Sequence, residues 1–224
     1  LNEGLTCRWF DVRELVRTDN TWREGKVNWE TTEKQIREQV SAFLDQSEGS
    51  PAIALTQGFM GATPGGETTT LGREGSDYTA AIFAYALQAD EMVIWKDVPG
   101  LLNADPKYFS RTEKLASISY REAIELSYYG ATIIHPKTIK PLQNKDIPLR
   151  IKSFVKPGDE GSIIQNDTAA DSLIPSFIFK VDQVLISIIS RDFSFIDEQS
   201  LSEILAVFAR NSIHISLMQN SAIS

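Results

Sequence analysis

The sequence predicts an α/β fold, a mostly parallel sheet sandwiched by helices, and two observations carry that expectation. Short apolar runs bounded by Gly or Pro alternate with longer stretches of helical periodicity, and the runs are too apolar to be strands with one wet face. Such alternation builds a sheet covered on both sides. With 224 residues, 42% hydrophobic and 23% charged, the chain has enough apolar surface for one large or two modest domains.

The elements follow in order. In "TTEKQIREQVSAFL", 31–44, Ile36, Val40, Phe43 and Leu44 share one helical face, with Thr31 or Thr32 as N-cap. "PAIALTQG" is a short apolar run between Pro51 and Gly58, hence a buried strand. "YTAAIFAYAL", 78–87, is apolar nearly all round and reads as a buried helix, followed by a strand at "EMVIW" and a Pro- and Gly-bearing loop at "KDVPGLLNADP". In "SYREAIELSYYG", Ser119 and Glu122 have capping-box spacing and Gly130 is the stop. A turn, a short helix and a strand at 149–154 come next.

Residues 166–175 are the expected linker, within a stretch rich in Gly, Pro, Asp and Ser. Beyond it, "VLISIIS" and "IHISLM" read as strands flanking a helix at "EQSLSEILAVFARN" capped by Ser200 with Glu203 in box position. This βαβ unit is too small for a full core.

Charge and composition narrow the chemistry. A net charge of -8 excludes a broad nucleic-acid surface, since phosphates need clustered Lys and Arg, yet a few local cations suffice for a small anion. No apolar run is long enough for a membrane helix, and nothing at the start reads as a secretion signal, so a cytoplasmic location is expected. The single Cys7 agrees with a reducing compartment and, with two distant histidines, offers no metal site.

Three stretches carry candidate chemistry. In "TTTLGREGSDYTAA", 68–81, Gly72 and Gly75 permit tight turns, Arg73 offers a fork for carboxylate or phosphate, and Ser76 or Asp77 is placed to cap the following helix. The plain alternative is a capped helix with a solvated Arg-Glu pair. "WKDVPGLLNADPK" holds Asp97 and Asp105 flanked by Lys96 and Lys107, either a nucleotide cradle or a surface turn. His135, before Pro136, is either a general base or an ordinary polar residue.

Taken in order, "TQGFMG", "TTTLGREGSDYTAA", "WKDVPGLLNADP", "EAIELSYYGATIIHP", "IPLRI" and "GSII" resemble the aspartokinase family, and "LNEGLTCRWFDVRELVRTD" is similar to the middle of its kinase domain. The resemblance implies an amino-acid-kinase-like sheet, here its C-terminal portion at 1–165. It also implies a partial ACT domain of ferredoxin-like βαββαβ pattern at 176–224. It implies transfer of the γ-phosphoryl of MgATP to the side-chain carboxylate of L-aspartate, for lysine, methionine and threonine biosynthesis. Arg73, Ser76, Asp77 and Phe59 would bind the substrate, with Asp77 and Lys96 catalytic. Lys96, Asp97, Leu102, Lys107 and Thr132 would hold the nucleotide.

Two positions depart from the commonest pattern: Lys96 stands where many members have Thr, and Thr132 where many have Lys, so the resemblance implies a relocated cation. The family's Lys-Phe-Gly-Gly motif is not among these residues, and the polypeptide by itself is expected to be inactive. Ser190, Phe193, His214 and Ser216 are the candidate effector residues, though "SIHIS" lacks the Asp of lysine-inhibited members. A homodimer through the ACT part is expected. The competing readings are an amino-acid-kinase-fold enzyme acting on another substrate, and a non-catalytic regulatory piece.

Overall fold

The computed structural model describes residues 6–46, 51–129, 134–167, 169–171, 174–190 and 195–221. Two units divide the chain, Leu1–Phe179 and Lys180–Ser224.

In the first unit, β1 (Thr6–Phe10) pairs in parallel with β2 (Ala52–Thr56), Cys7 opposite Ile53 and Trp9 opposite Leu55. Between them lie a short α1 (Val12–Leu15), α2 (Trp29–Ile36), a π-helical turn (Arg37–Ser41) and α3 (Ala42–Asp45). The N-cap of α2 is Asn28, whose side chain accepts the Thr31 N–H, and not Thr31 or Thr32. Thr32 is wholly buried and its hydroxyl accepts instead from the Arg17 backbone N–H, so a tertiary bond has taken the residue that spacing offered as a cap. β2 has one covered face only: Ile53 and Leu55 are exposed, against the expectation of a buried strand.

A hairpin of β3 (Met60–Ala62) and β4 (Thr68–Thr70) leads into α4 (Gly75–Leu87). Then come β5 (Met92–Lys96), a β6–β7 hairpin (Leu101–Leu102 with Lys114–Leu115) whose first strand falls within the expected loop, β8 (Ser117–Ser119) and α5 (Tyr120–Tyr129). The Ser119 hydroxyl accepts the Glu122 N–H, one half of the expected capping box; the Ser119 N–H donates to Asp171 Oδ1 and not to the Glu122 side chain, and Gly130 lies outside the described residues. α6 (Pro136–Lys145), β9 (Leu149–Ser153) and β10 (Ser162–Gln165) complete the unit. The four-stranded sheet runs β5-β9-β10-β8, parallel except between β9 and β10.

Two clusters form the core. Ile118, Tyr120, Ile139, Leu142, Leu149 and Ile151 pack over the four-stranded sheet, and Val12, Leu15, Ile36, Leu71 and Ile82 under the first helices. α4 serves both: Ala81 and Ala84 face one, Ile82 and Ala86 the other, which is why its sequence is apolar nearly all round. Each buried Ile or Leu contributes roughly 1.5–3 kcal/mol, so α4 and the site at its start are strongly anchored.

Residues 174–179 belong to the first unit: the Asn103 side chain donates to the Pro175 carbonyl and Phe177 N–H donates to the Asn103 carbonyl.

The second unit holds one helix among its described residues, α7 (Glu198–Arg210). Its N-cap is Asp197, which accepts the Ser200 N–H, so Ser200 is the third helical residue and not the cap. The expected strands at 184–190 and 213–218 are not formed by the described residues, and Val184, Leu185 and Leu217 are over four-fifths exposed. A strand is held by partners for its N–H and C=O groups, and two strands with one helix cannot bury enough surface to form a sheet.

Candidate active site

The candidate site is built around the start of α4, where the loop after β2, the turn after β4 and the carboxyl end of β5 meet. Ligands of open α/β sheets bind at such strand ends, facing helix N-termini.

Backbone bonds knit the two loops together. Leu71 N–H donates to the Phe59 carbonyl at 2.9 Å, and Phe59 N–H donates to Thr79 Oγ1 at 2.9 Å. Thr79 Oγ1 in turn donates to the Gly75 carbonyl at 2.8 Å. Thr79 is buried and carries no chemistry itself, but one hydroxyl fixes both the Phe59 loop and the first turn of α4. The approach is close: a Cβ on Gly75 would sit 2.7 Å from Phe59 Cδ2, and one on Gly58 3.0 Å from Ser76 Cα.

Two non-glycine residues adopt left-handed backbone here, Phe59 (φ 76°) and Glu74 (φ 54°). Each costs about 1–2 kcal/mol, and such strain gathers at ligand sites. Glu74, with no side-chain capping bond, is the N-cap of α4; Ser76 and Asp77 lie inside its first turn and do not cap it. That leaves Ser76 exposed and aligns Asp77 with β5.

The link to β5 is an ion pair, Lys96 Nζ to Asp77 Oδ2 at 3.2 Å, with the two side chains 25% and 22% exposed. Lys96 is the last residue of β5, held in register opposite Ser153 of β9. Phe59, Ser76, Asp77 and Lys96 therefore gather around one helix start, with Arg73 exposed on the turn before it and Asp97 exposed just after β5.

The remaining nucleotide candidates lie on the β6–β7 loop. Leu102 is half-buried opposite Lys114, while Lys107 is exposed and its backbone N–H donates to Asp105 Oδ1 at 2.8 Å. Ser162 pins this loop to β10: its hydroxyl accepts the Leu101 N–H at 2.8 Å, and a Cβ on Gly100 (φ 139°) would meet that oxygen at 2.4 Å. Thr132 and Phe193 lie outside the described residues, and Ser190, His214 and Ser216 belong to the second unit. Thr79 and Ser162 escape a reading of the sequence, because a Thr inside a helix and a Ser opening a strand have no local signature; only their distant partners mark them.

His135 is the N-cap of α6, its Nδ1 accepting the Lys137 N–H at 3.1 Å. Burial lowers its pKa, with Glu74, Lys137, Arg73 and Glu24 as the charges around it. This is a structural role, and a general-base role has no geometric support among these contacts.

A sheet flanked by helices, with a Gly-rich turn feeding a helix beside a lysine at a strand end, is the geometry with which open α/β domains hold an anionic ligand. The amino acid kinase family model matches residues 2–153, and the chain belongs to that family. Over 220 residues it is 33% identical to lysine-sensitive aspartokinase 3 of Escherichia coli (strain K12), covering 98% of this chain and 48% of that protein. The fold matches the crystal structure of E. coli aspartokinase III in complex with aspartate and ADP (R-state) with a TM-score of 0.72 at 31% identity, covering 97% of this chain and 47% of that one. The same protein in complex with lysine and aspartate (T-state) matches with a TM-score of 0.72 at 30% identity, covering 97% and 48%. The chain thus spans about half the length of these relatives.

Proposed function

We propose that this chain serves an aspartokinase, which transfers the γ-phosphoryl group of ATP to the side-chain carboxylate of L-aspartate and yields 4-phospho-L-aspartate. The observation that carries the reading is the Lys96–Asp77 pair at the junction of β5 and α4, inside a segment similar over nearly its whole length to an enzyme solved with aspartate and ADP.

A carboxylate oxygen of aspartate attacks the γ-phosphorus and the β–γ bridging oxygen leaves with ADP, so the site must position two anions and offset their charge. Arg73 grips the substrate's other carboxylate with its planar fork. Ser76 and Phe59 line the pocket. Lys96 meets the transferred phosphoryl group, and Asp77 holds its ammonium at the point where charge develops. Since position 132 carries Thr, Lys96 supplies the contact that a lysine there would make. Asp97, Leu102, Lys107 and Thr132 serve the nucleotide.

Mg²⁺ belongs to the same reading. Asp97, exposed just after β5, offers a single carboxylate of the kind that joins a metal carried chiefly by nucleotide phosphates. When bound, the ion neutralises phosphate charge.

An amino-acid effector at Ser190, Phe193, His214 and Ser216, and pairing into a homodimer through the second unit, complete the proposal. The support is the apolar surface that unit exposes at Val184, Leu185 and Leu217.

The test is hydroxamate formation with MgATP and L-aspartate by a protein of the relatives' length that contains this segment, with L-glutamate as control. Activity with aspartate that collapses in Lys96→Ala and Arg73→Ala upholds the reading. Binding of an amino acid without turnover would replace it with a regulatory role.

A further inference from the structure

At the far end of the β3–β4 hairpin from Phe59 lies a cavity of about 340 Å³, lined by Arg17, Thr18, Asp19, Lys26, Val27, Asn28, Thr31 and Pro64. Its size falls within the range of small-ligand pockets. Phe59 and Thr63 bracket β3, roughly 13 Å apart at about 3.3 Å per residue, so this cavity is separate from the candidate active site.

Hydrogen bonds hold the walls. Arg17 is held through its backbone, its N–H donating to Thr32 Oγ1 at 3.0 Å and its carbonyl accepting from Asn28 N–H at 2.8 Å. Thr18 N–H donates to the Ala62 carbonyl at 2.9 Å, and the Thr18 and Thr69 hydroxyls are hydrogen-bonded at 2.6 Å. Asp19 N–H donates to the Lys26 carbonyl at 3.0 Å, which closes the loop that brings Lys26 to the same cavity as Arg17.

The charges within are unequal. Asp19 is already committed: Oδ1 accepts the backbone N–H groups of Thr21 and Lys26, and Oδ2 accepts the Thr21 hydroxyl. Arg17 and Lys26 form no ion pair among the described residues, and the only guanidinium bond there is a long one, Nη1 to the Thr63 carbonyl at 3.4 Å. Asn28 uses its side-chain oxygen on the Thr31 N–H, which leaves its amide group as a donor. The cavity therefore presents two cations against one carboxylate, Asp19, whose charge acts on Lys26 while its oxygens accept from neutral donors, together with an amide donor and hydroxyls.

We infer that this cavity binds a small oxyanion, a carboxylate or a phosphate, between Arg17 and Lys26. Arg17 supplies the planar fork and Lys26 a mobile second charge, the combination that selects oxygen pairs over halides. Because Arg17 is bonded to the start of α2 and Thr18 to the β3–β4 hairpin, an occupied cavity ties those elements together.

The experiment is an NMR titration of the 224-residue chain, following amide shifts, with inorganic phosphate in one arm, succinate in another and sodium chloride at matched ionic strength as control. Saturable shifts are expected at Thr18, Asp19, Lys26, Asn28 and Thr31 in at least one oxyanion arm and not with chloride, and the arm with tighter binding names the ligand's chemistry. Arg17→Gln and Lys26→Gln are each expected to weaken that binding about tenfold, and Arg73→Gln to leave it unchanged. Lys26 is exposed, so Lys26→Gln decides the matter if Arg17→Gln does not fold. Shifts confined to the α4 start, equal shifts with chloride, unchanged affinity in Lys26→Gln, or no saturation with either oxyanion would overturn the inference.

Discussion

Lys96 at the carboxyl end of β5 lies 3.2 Å from Asp77 in the first turn of α4, and this contact joins strand and helix at the point where a ligand would enter. Both side chains are about three-quarters covered, so the pair stands at the upper end of the range for surface ion pairs, roughly 1 kcal/mol of coupling. In a double-mutant cycle of Lys96→Met and Asp77→Asn followed by urea unfolding, that coupling should appear. Additive effects would mean that the two side chains merely lie close together.

Thr79→Val keeps the shape of the side chain and removes its hydroxyl. Phe59 N–H then loses its acceptor and the Gly75 carbonyl one donor, at an expected cost of about 1–3 kcal/mol. Denaturant unfolding measures the loss. Amide exchange at Phe59 should quicken in parallel, which separates a loosened loop from a general weakening of the fold.

Gly75→Ala tests the approach of Phe59 to α4. The added methyl meets the Phe59 ring at 2.7 Å and Leu71 Cβ at 3.2 Å. Phe59 is 41% exposed, so its ring has room on the solvent side only. The Phe59 Cα lies 3.3 Å from the same point and its backbone is pinned by Thr79 and Leu71, so stability is expected to fall by about 1–3 kcal/mol, while aspartate affinity, read by calorimetry in a protein of the relatives' length, falls at least tenfold.

His135 should leave a signature in the pH dependence of stability. Burial holds its folded-state pKa below the ordinary value near 6.5, so below that pH the unfolded chain takes up the proton more readily than the folded one. Its contribution is fully present above pH 6.5 and is lost as the pH falls toward the folded-state pKa. His135→Asn preserves a good N-cap for α6 and removes the titration. Unfolding free energies measured from pH 7.5 to 5 should show a shallower fall in that variant than in the parent.

Much of the first unit is legible along the chain. The bond from the Glu122 N–H to the Ser119 hydroxyl marks the start of α5 because both partners sit within one helical turn, whereas the other half of the box is lost to the distant Asp171. The all-round apolar "YTAAIFAYAL" announces a helix between two cores, and the Gly-Arg-Glu-Gly-Ser-Asp turn announces a loop feeding it. The caps are less legible. Asn28 and Asp197 take the positions that Thr31, Thr32 and Ser200 offered equally well, since any short polar side chain can cap a helix and the path of the entering chain selects among them.

What the sequence by itself determined is therefore everything set by neighbours within a few residues: the alternation of elements, the buried helix, the loops rich in Gly and the family to which they belong. Only the tertiary structure decided that Lys96 reaches Asp77, that Thr79 and Ser162 lock two loops, that Arg17 and Lys26 share a cavity, and that residues 184–190 and 213–218 form no strands. Periodicity records which face of a segment is apolar. Ion pairs, long-range hydrogen bonds and strand pairing depend on partners brought together by the fold, and no local pattern encodes who those partners are.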